Sequence, residues 1–151
     1  RLKFHALRGV HTAGYVRCFY DEEPETLEWI DDFIGAGQTL WDIGANIGLY
    51  ALYAAQVPDV KVYAFEPSGI NFGLLVENIR LNDFPGVIPL CAALSDETKL
   101  DLLHIRDFEV GTAFNAIGVP QSQFGGFSPA FSQAQRVPPS LRNESRLIFS
   151  W

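Results

Sequence analysis

"LWDIGANIGLY", residues Leu40–Tyr50, decides the fold. An apolar run reaches an acid at Asp42, turns on Gly44, Asn46 and Gly48, and resumes as aromatic and small apolar residues. Two apolar stretches separated by a glycine turn read as a buried strand entering a helix. The strand is "TLWDI"; the helix is "IGLYALYAAQ", stopped by "VPD". Downstream, "KVYAFE" reads as a second strand with an acid at its C-terminal end. "PSGINFGLLVENIRLND" reads as a second helix. Ser68 or Asn71 stands at its cap, and Leu74, Leu75, Asn78 and Ile79 carry its later turns. Asn78 is expected to face solvent or cap locally. "GVIPLCAAL" follows as a third strand, and "KLDLLHI" alternates enough to be a fourth, antiparallel one.

Upstream, "DEEPETLEWIDDFIGAG" predicts a helix, with Pro24 tolerated in its first turn, acids at the positive end of its dipole, and a stop at Gly35 and Gly37. Residues 1–20 read as an irregular or hairpin-like lead-in, and 21–118 as the domain itself. From Val119 the texture turns to Gln, Ser, Pro and Gly without a sustained period. Residues 119–151 therefore read as a loop or disordered tail, although Phe124, Phe127, Phe131 and Trp151 lie within it.

Strands alternating with helices imply parallel pairing through right-handed crossovers, hence an α/β fold. The expected architecture is a Rossmann-like parallel sheet with helices on both faces, of which only the cofactor-binding half is present. Pro89 supports a 3-2-1 layout, because proline belongs on an edge strand and the third strand is then an edge.

Composition narrows the function. At 151 residues the chain holds one domain. Its net charge of -7 disfavours nucleic acid as partner and suits a cationic small molecule. Cys18 and Cys91 form no CxxC and have no histidines at metal-ligand spacing, so free thiols in a reducing compartment are expected and no metal site. No apolar run approaches the ~18 residues of a membrane span, and the basic N-terminal residues are followed by no apolar run of the kind a signal peptide needs, so none is expected. A cytoplasmic location is the default. The chain starts at Arg1 rather than Met, which predicts a fragment.

The glycine turn indicates the ligand. In open parallel sheets, ligands bind beyond the carboxyl ends of the strands. The dinucleotide fingerprint G-x-G-x-x-G is not met: here the pattern is G-x-N-x-G, with Asn46 able to take a left-handed backbone where a second glycine would stand. Asp42, two residues before Gly44, would repel a pyrophosphate but attract an ammonium or sulfonium. Glu66 ends the next strand, where a carboxylate can accept from two ribose hydroxyls. The pair points to S-adenosylmethionine.

"WDIGANIGLYALYAA", "VYAFEPSGINFGLLVENIRLN" and "CAALSDET" together resemble the FkbM-type branch of the class I S-adenosylmethionine-dependent methyltransferases, from about Glu23 to Gly118. The resemblance implies that Asp42, Gly44, Ala45, Asn46 and Gly48 hold the methionine part of the cofactor. It implies that Glu66 holds the ribose, that Pro67 shapes the turn, and that Ala92 and Ala93 lie by the adenine. It also implies O-methylation of a hydroxyl on a sugar, lipid or natural product. Family members continue into a further parallel strand beside strand one. Nothing like it is legible in "AQRVPPSLRNESRLIFSW", so a truncated or frame-shifted copy is expected, with strand one unpaired and open to self-association.

Methyl transfer needs an aligned acceptor oxygen, which a base can help to deprotonate. His104, Asp96 and Asp107 are candidates by residue type, and none is assigned that role. Trp29 and Trp41 read as core. Two other classes stay open: a non-catalytic remnant that binds cofactor weakly or pairs with a partner, and a nucleotide-cofactor oxidoreductase, which Asp42 and the missing third glycine disfavour.

Overall fold

The computed structural model describes residues 1–105, 108–113, 116–117, 128–136 and 145–149. Helix α2 (Pro24–Phe33) forms where expected, with Pro24 in its first turn and Glu25 beside it facing the helix dipole. Leu27 and Ile30 are its buried residues.

The lead-in differs from expectation: Val10–Glu22 is a helix, α1. Gly14 and the β-branched residues lower its intrinsic propensity, and tertiary contacts override that. Phe19 is buried against Tyr50 and Tyr53, with ring centroids 5.6 and 5.8 Å away. At the helix start, the hydroxyl of the fully buried Thr12 accepts the Gly9 N–H at 3.1 Å, satisfying a donor that no helical carbonyl reaches.

Strands β1 (Thr39–Ile43), β2 (Lys61–Phe65) and β3 (Val87–Leu90) pair in parallel in the expected 3-2-1 order. Helices α3 (Leu49–Ala54) and α4 (Gly69–Asn82) are the crossovers. Right-handed connections put both on one face of the sheet, and a single core follows. Leu40, Val62, Ala64 and Val87 from the strands join Ile30, Ala51, Leu52, Leu75 and Ile79 from the helices. The expectation of helices on both faces is thus met on one face among the described residues. The other face carries an aromatic cluster, with Trp41 5.2 Å from Phe65 and 6.2 Å from Tyr63. Pro89 sits on β3, the sheet edge, opposite Ala64.

The expected third strand is two strands. β3 ends at Leu90, the Ala92 N–H turns back onto the Leu90 carbonyl at 2.9 Å, and β4 (Ala93–Ser95) joins a second sheet. "KLDLLHI" is β5 (Lys99–Ile105), antiparallel as expected, paired with β6 (Ala116–Ile117) and with β7 (Ser128–Arg136) in the order β4-β7-β5-β6.

Strand β7 and strand β8 (Ser145–Phe149) correct the reading of 119–151 as a loop or disordered tail. β8 runs parallel to β1, from Thr39↔Ser145 to Ile43↔Phe149. This is the strand judged missing, and it pairs the side of β1 from which self-association was expected. The physical reason is that the middle of a parallel sheet needs backbone partners on both sides. A run as short as "RLIF", set among Pro, Ser and Asn, carries too little period to announce that it supplies them. The rest of that stretch, Phe124, Phe127 and Trp151 included, lies outside the described residues. Among the described residues no helix is long and apolar enough to cross a membrane.

Candidate functional site

The turn between β1 and α3 takes three left-handed residues in five: Gly44 (φ 83°), Asn46 (φ 49°) and Gly48 (φ 90°). Asparagine is one of the few side-chain-bearing residues that accept this region. Gly48 has a second reason to lack a side chain: a Cβ there would lie 2.6 Å from Leu75 Cδ1, where α3 closes on α4. The amides of Gly44 and Ala45 both donate to the Phe65 carbonyl at 2.9 Å, which draws the turn over the end of β2.

Two buried acids fasten the turn. Asp42 is fully buried, and its Oδ2 accepts the Ala51 N–H at 3.0 Å, in the first turn of α3. Its charge therefore offsets the positive end of that helix. Glu66, 4% exposed, accepts the Asn46 N–H on Oε2 and the Ser68 N–H on Oε1, each at 2.8 Å. Burial pushes the Glu66 carboxyl up to about 7. The amides of Ser68 and Asn46 pull it down, the Asp42 charge pushes it up, and the Asn71 side chain pulls it down. The two carboxylates thus share one neighbourhood. Glu66 is tied to the middle of the turn, while Asp42, on β1, is tied to the helix that follows.

Pro67 and Ser68 lead from Glu66 into α4. Ser68 holds the cap position of α4 without a side-chain cap bond, and its backbone amide donates to Glu66. Ala92 is buried and Ala93 half-buried at the far end of β3, beside the exposed thiol of Cys91. Burial, and then the Glu66 charge, push that thiol up, which places Cys91 within the field of the same site.

Three contacts around the candidate site went unread in the sequence. Asn71, buried on α4, clips a turn at residues 109–112 by both ends of its amide: Oδ1 accepts the Gly111 N–H at 2.8 Å and Nδ2 donates to the Thr112 carbonyl at 3.0 Å. Asn46 Nδ2 donates to the Gly111 carbonyl at 3.1 Å, so the same short turn is fastened to the glycine turn. Asn78, expected to face solvent or cap locally, is fully buried; its amide donates to the Ile47 carbonyl at 2.9 Å and accepts the His5 N–H at 2.9 Å. The available signal was spacing. Asn71 and Asn78 fall on the same helical stripe as Leu74 and Leu75, and a polar residue on a buried stripe needs partners.

Asn46 Oδ1 is buried and has no hydrogen-bond partner among the described residues. An acceptor withdrawn from water without a donor costs about 1–3 kcal/mol, so a donor bound at this turn would recover that loss.

Of the candidate bases, Asp96 and His104 lie elsewhere. Asp96 is exposed and accepts the neighbouring Ser95 hydroxyl at 3.0 Å. His104 is on β5, opposite Ala116 and Pro129 in the second sheet. Asp107 lies outside the described residues. Among the described residues no cluster of His, Cys, Asp and Glu has the grouping of a metal site.

No family model matches the chain. It is 40% identical over 62 residues to 31-O-demethyl-FK506 methyltransferase FkbM of Streptomyces tacrolimicus, a stretch covering 40% of this chain and 24% of that protein. It is 45% identical over 56 residues to methyltransferase sdnD of Sordaria araneosa, covering 36% of this chain and 22% of that protein. The chain therefore spans about a quarter of the length of the curated relatives it matches. Among solved structures, an rRNA methylase from Streptococcus thermophilus superposes with a TM-score of 0.43 at 13% identity, over 46% of this chain and 38% of that one. The resemblance to FkbM-type methyltransferases read from the sequence is thus met by named relatives.

Proposed function

We propose that this chain binds S-adenosylmethionine at the glycine turn and serves methyl transfer to a hydroxyl of a small molecule. The observation that carries the reading is the pairing of buried Glu66 with Asn46: a carboxylate fixed by two backbone amides, next to a buried amide oxygen that lacks a donor. A ligand with two neighbouring hydroxyls at one end and an ammonium at the other matches those acceptors in kind. Glu66 accepts from the ribose hydroxyls, Asn46 Oδ1 from the ammonium, and Asp42 supplies negative charge from beneath while holding α3 in place. Gly44, Ala45 and Gly48 keep the turn free of bulk. Pro67 sets the direction of the chain after Glu66, and Ala92 and Ala93 leave room for the adenine.

The cofactor, when bound, supplies an electrophilic methyl group on sulfur; the protein's task is to position donor and acceptor oxygen in line and to keep water out. O-methylation of a sugar, lipid or natural product is the acceptor reading. The FkbM-type resemblance supports it, as does a net charge of -7, which favours a small molecule over a polyanion. A cytoplasmic location belongs to the same proposal, since Cys18 and Cys91 are both free and exposed, as a reducing compartment permits.

Titration calorimetry with S-adenosylmethionine and, separately, NAD tests the reading. Binding of the former alone, weakened at least tenfold by Glu66→Ala, is the expected result. Preference for NAD would overturn it. Binding without turnover on any hydroxylated acceptor would keep the ligand and remove the enzyme, leaving a cofactor-binding remnant. Turnover on RNA alone would replace the acceptor class.

A further inference from the structure

We infer that Asn46 is a relay: a cationic amine received by its Oδ1 fastens the 109–112 turn, through its Nδ2, as a strap against the glycine turn. The inference rests on the donor reading above and assigns an order to binding. The methyl donor closes the strap, and the acceptor meets the site in that state.

Three observations build it. First, one amide faces two ways. Asn46 Nδ2 holds the Gly111 carbonyl at 3.1 Å while Oδ1 is buried with no partner among the described residues. An amide held at one end only can rotate away; held at both, it is fixed, and its remaining bond is strengthened by polarisation. Second, the strap is poised between attachments. Asn71 clips it from α4 through Gly111 N–H and Thr112 O, and within it Thr112 Oγ1 returns to the Glu109 carbonyl at 2.8 Å. Third, its outer side rests on the start of α1. A Cβ added at Gly111, whose φ is 88°, would lie 3.1 Å from Thr12 Cγ2, and one added at Gly9 would lie 2.9 Å from the Val110 carbonyl. Residues with side chains fit at neither place, so strap and helix close on each other without slack. A bond gained or lost at Asn46 is therefore felt along the strap.

The Gly111 N–H reports the state directly, because it is the donor to Asn71 and exchanges with solvent only when the strap detaches. Amide hydrogen exchange on the whole chain, with binding followed in parallel by calorimetry, compares saturating S-adenosylhomocysteine with saturating 5′-methylthioadenosine. The first carries the amino-acid end; the second lacks it. S-adenosylhomocysteine is expected to slow Gly111 exchange at least tenfold and methylthioadenosine to leave it unchanged. Asn46→Ala is expected to erase both that protection and the preference for the longer ligand. Bound S-adenosylhomocysteine without protection of Gly111, or equal protection by both ligands, would overturn the relay and leave the donor reading standing. Failure of S-adenosylhomocysteine to bind at all would overturn the donor reading, and the relay with it.

Discussion

In the first sheet, β1, β2 and β3 are joined through α3 and α4, and each pairs with a strand one crossover away. In the second sheet, β5 takes β7 as its partner over seven register positions, and β4 takes β7 on its other side, with no helix between them among the described residues. The first arrangement writes itself locally. A buried strand, a glycine turn and an apolar helix repeat, and the handedness of the crossover leaves one topology. The second depends on pairings between segments far apart, whose patterns are short and interrupted. β8 is the instructive case, because it lies in the first sheet yet is specified like the second: Ser145–Phe149 reaches β1 from far along the chain. Chemistry collects where the specification is local. Glu66, Asn46 and Asn71 sit within the crossovers of the first sheet and Asp42 on β1 before them, and one turn of the later chain, residues 109–112, is drawn to them by two asparagine amides.

The sharpest way to break this comparison is at Gly48. Gly48→Val forces a β-branched residue into φ 90° and against Leu75. It should destabilise the protein by about 3 kcal/mol or more, read as a shift in urea midpoint, with ligand binding lost at the same time. A comparably large effect is expected from pH. Folding raises Glu66 from 4.5 to about 7, so the folded state holds that proton more tightly than the unfolded chain. Stability is therefore fully present below pH 4.5 and declines as pH rises through 7, by about 3 kcal/mol in all. Glu66→Gln should flatten that decline when the two proteins are melted side by side from pH 4 to 8. Donor binding should run the other way. It needs the carboxylate ionised, so affinity should fall by up to about tenfold per pH unit below 7.

Proline substitutions test the two sheets against each other. Of Leu147→Pro and Ile148→Pro, adjacent positions in β8, one removes a donor to β1; that variant should lose about 1–2 kcal/mol and weaken donor binding, because Ile148 stands opposite Asp42. Gln133→Pro in β7, opposite Leu100, should lower the melting temperature and leave donor affinity as it is. If both strands affect binding alike, the separation between the sheets fails. The smallest effect is expected at the surface. Arg8→Ala breaks a 2.9 Å ion pair with Glu77 in which both side chains are about half exposed, and should change stability by no more than about 0.5 kcal/mol.

Much of the candidate site was legible because its residues violate simple burial rules. An acid inside an apolar strand and an acid at a strand tip require partners, and Asp42 and Glu66 have them. Among their partners, however, are backbone amides, that of Ala51 in α3 for Asp42 and those of Asn46 and Ser68 for Glu66, so each is a structural acid before it meets any ligand. Sequence shows charge and position but not which amide comes within reach. Pro89 located the sheet edge correctly because a missing N–H has few tolerable places. Helix α1 was unreadable for the opposite reason: Gly14, Val16 and Tyr20 argue against a helix locally, and tertiary contacts such as the seat of Phe19 against Tyr50 and Tyr53 are not written in the local pattern. Asn71 and Asn78 look like surface residues until the helix is placed and their stripe turns inward.

Asn78 has a consequence of its own. By gripping the His5 amide and the Ile47 carbonyl at once, it staples the first residues of the chain to the loop that opens α3. Trimming a few residues from the front, or appending a tag that pulls on them, would thus disturb a loop forty positions away in sequence. A shortened or tagged preparation that lost its ligand would be reporting a severed staple rather than a damaged pocket.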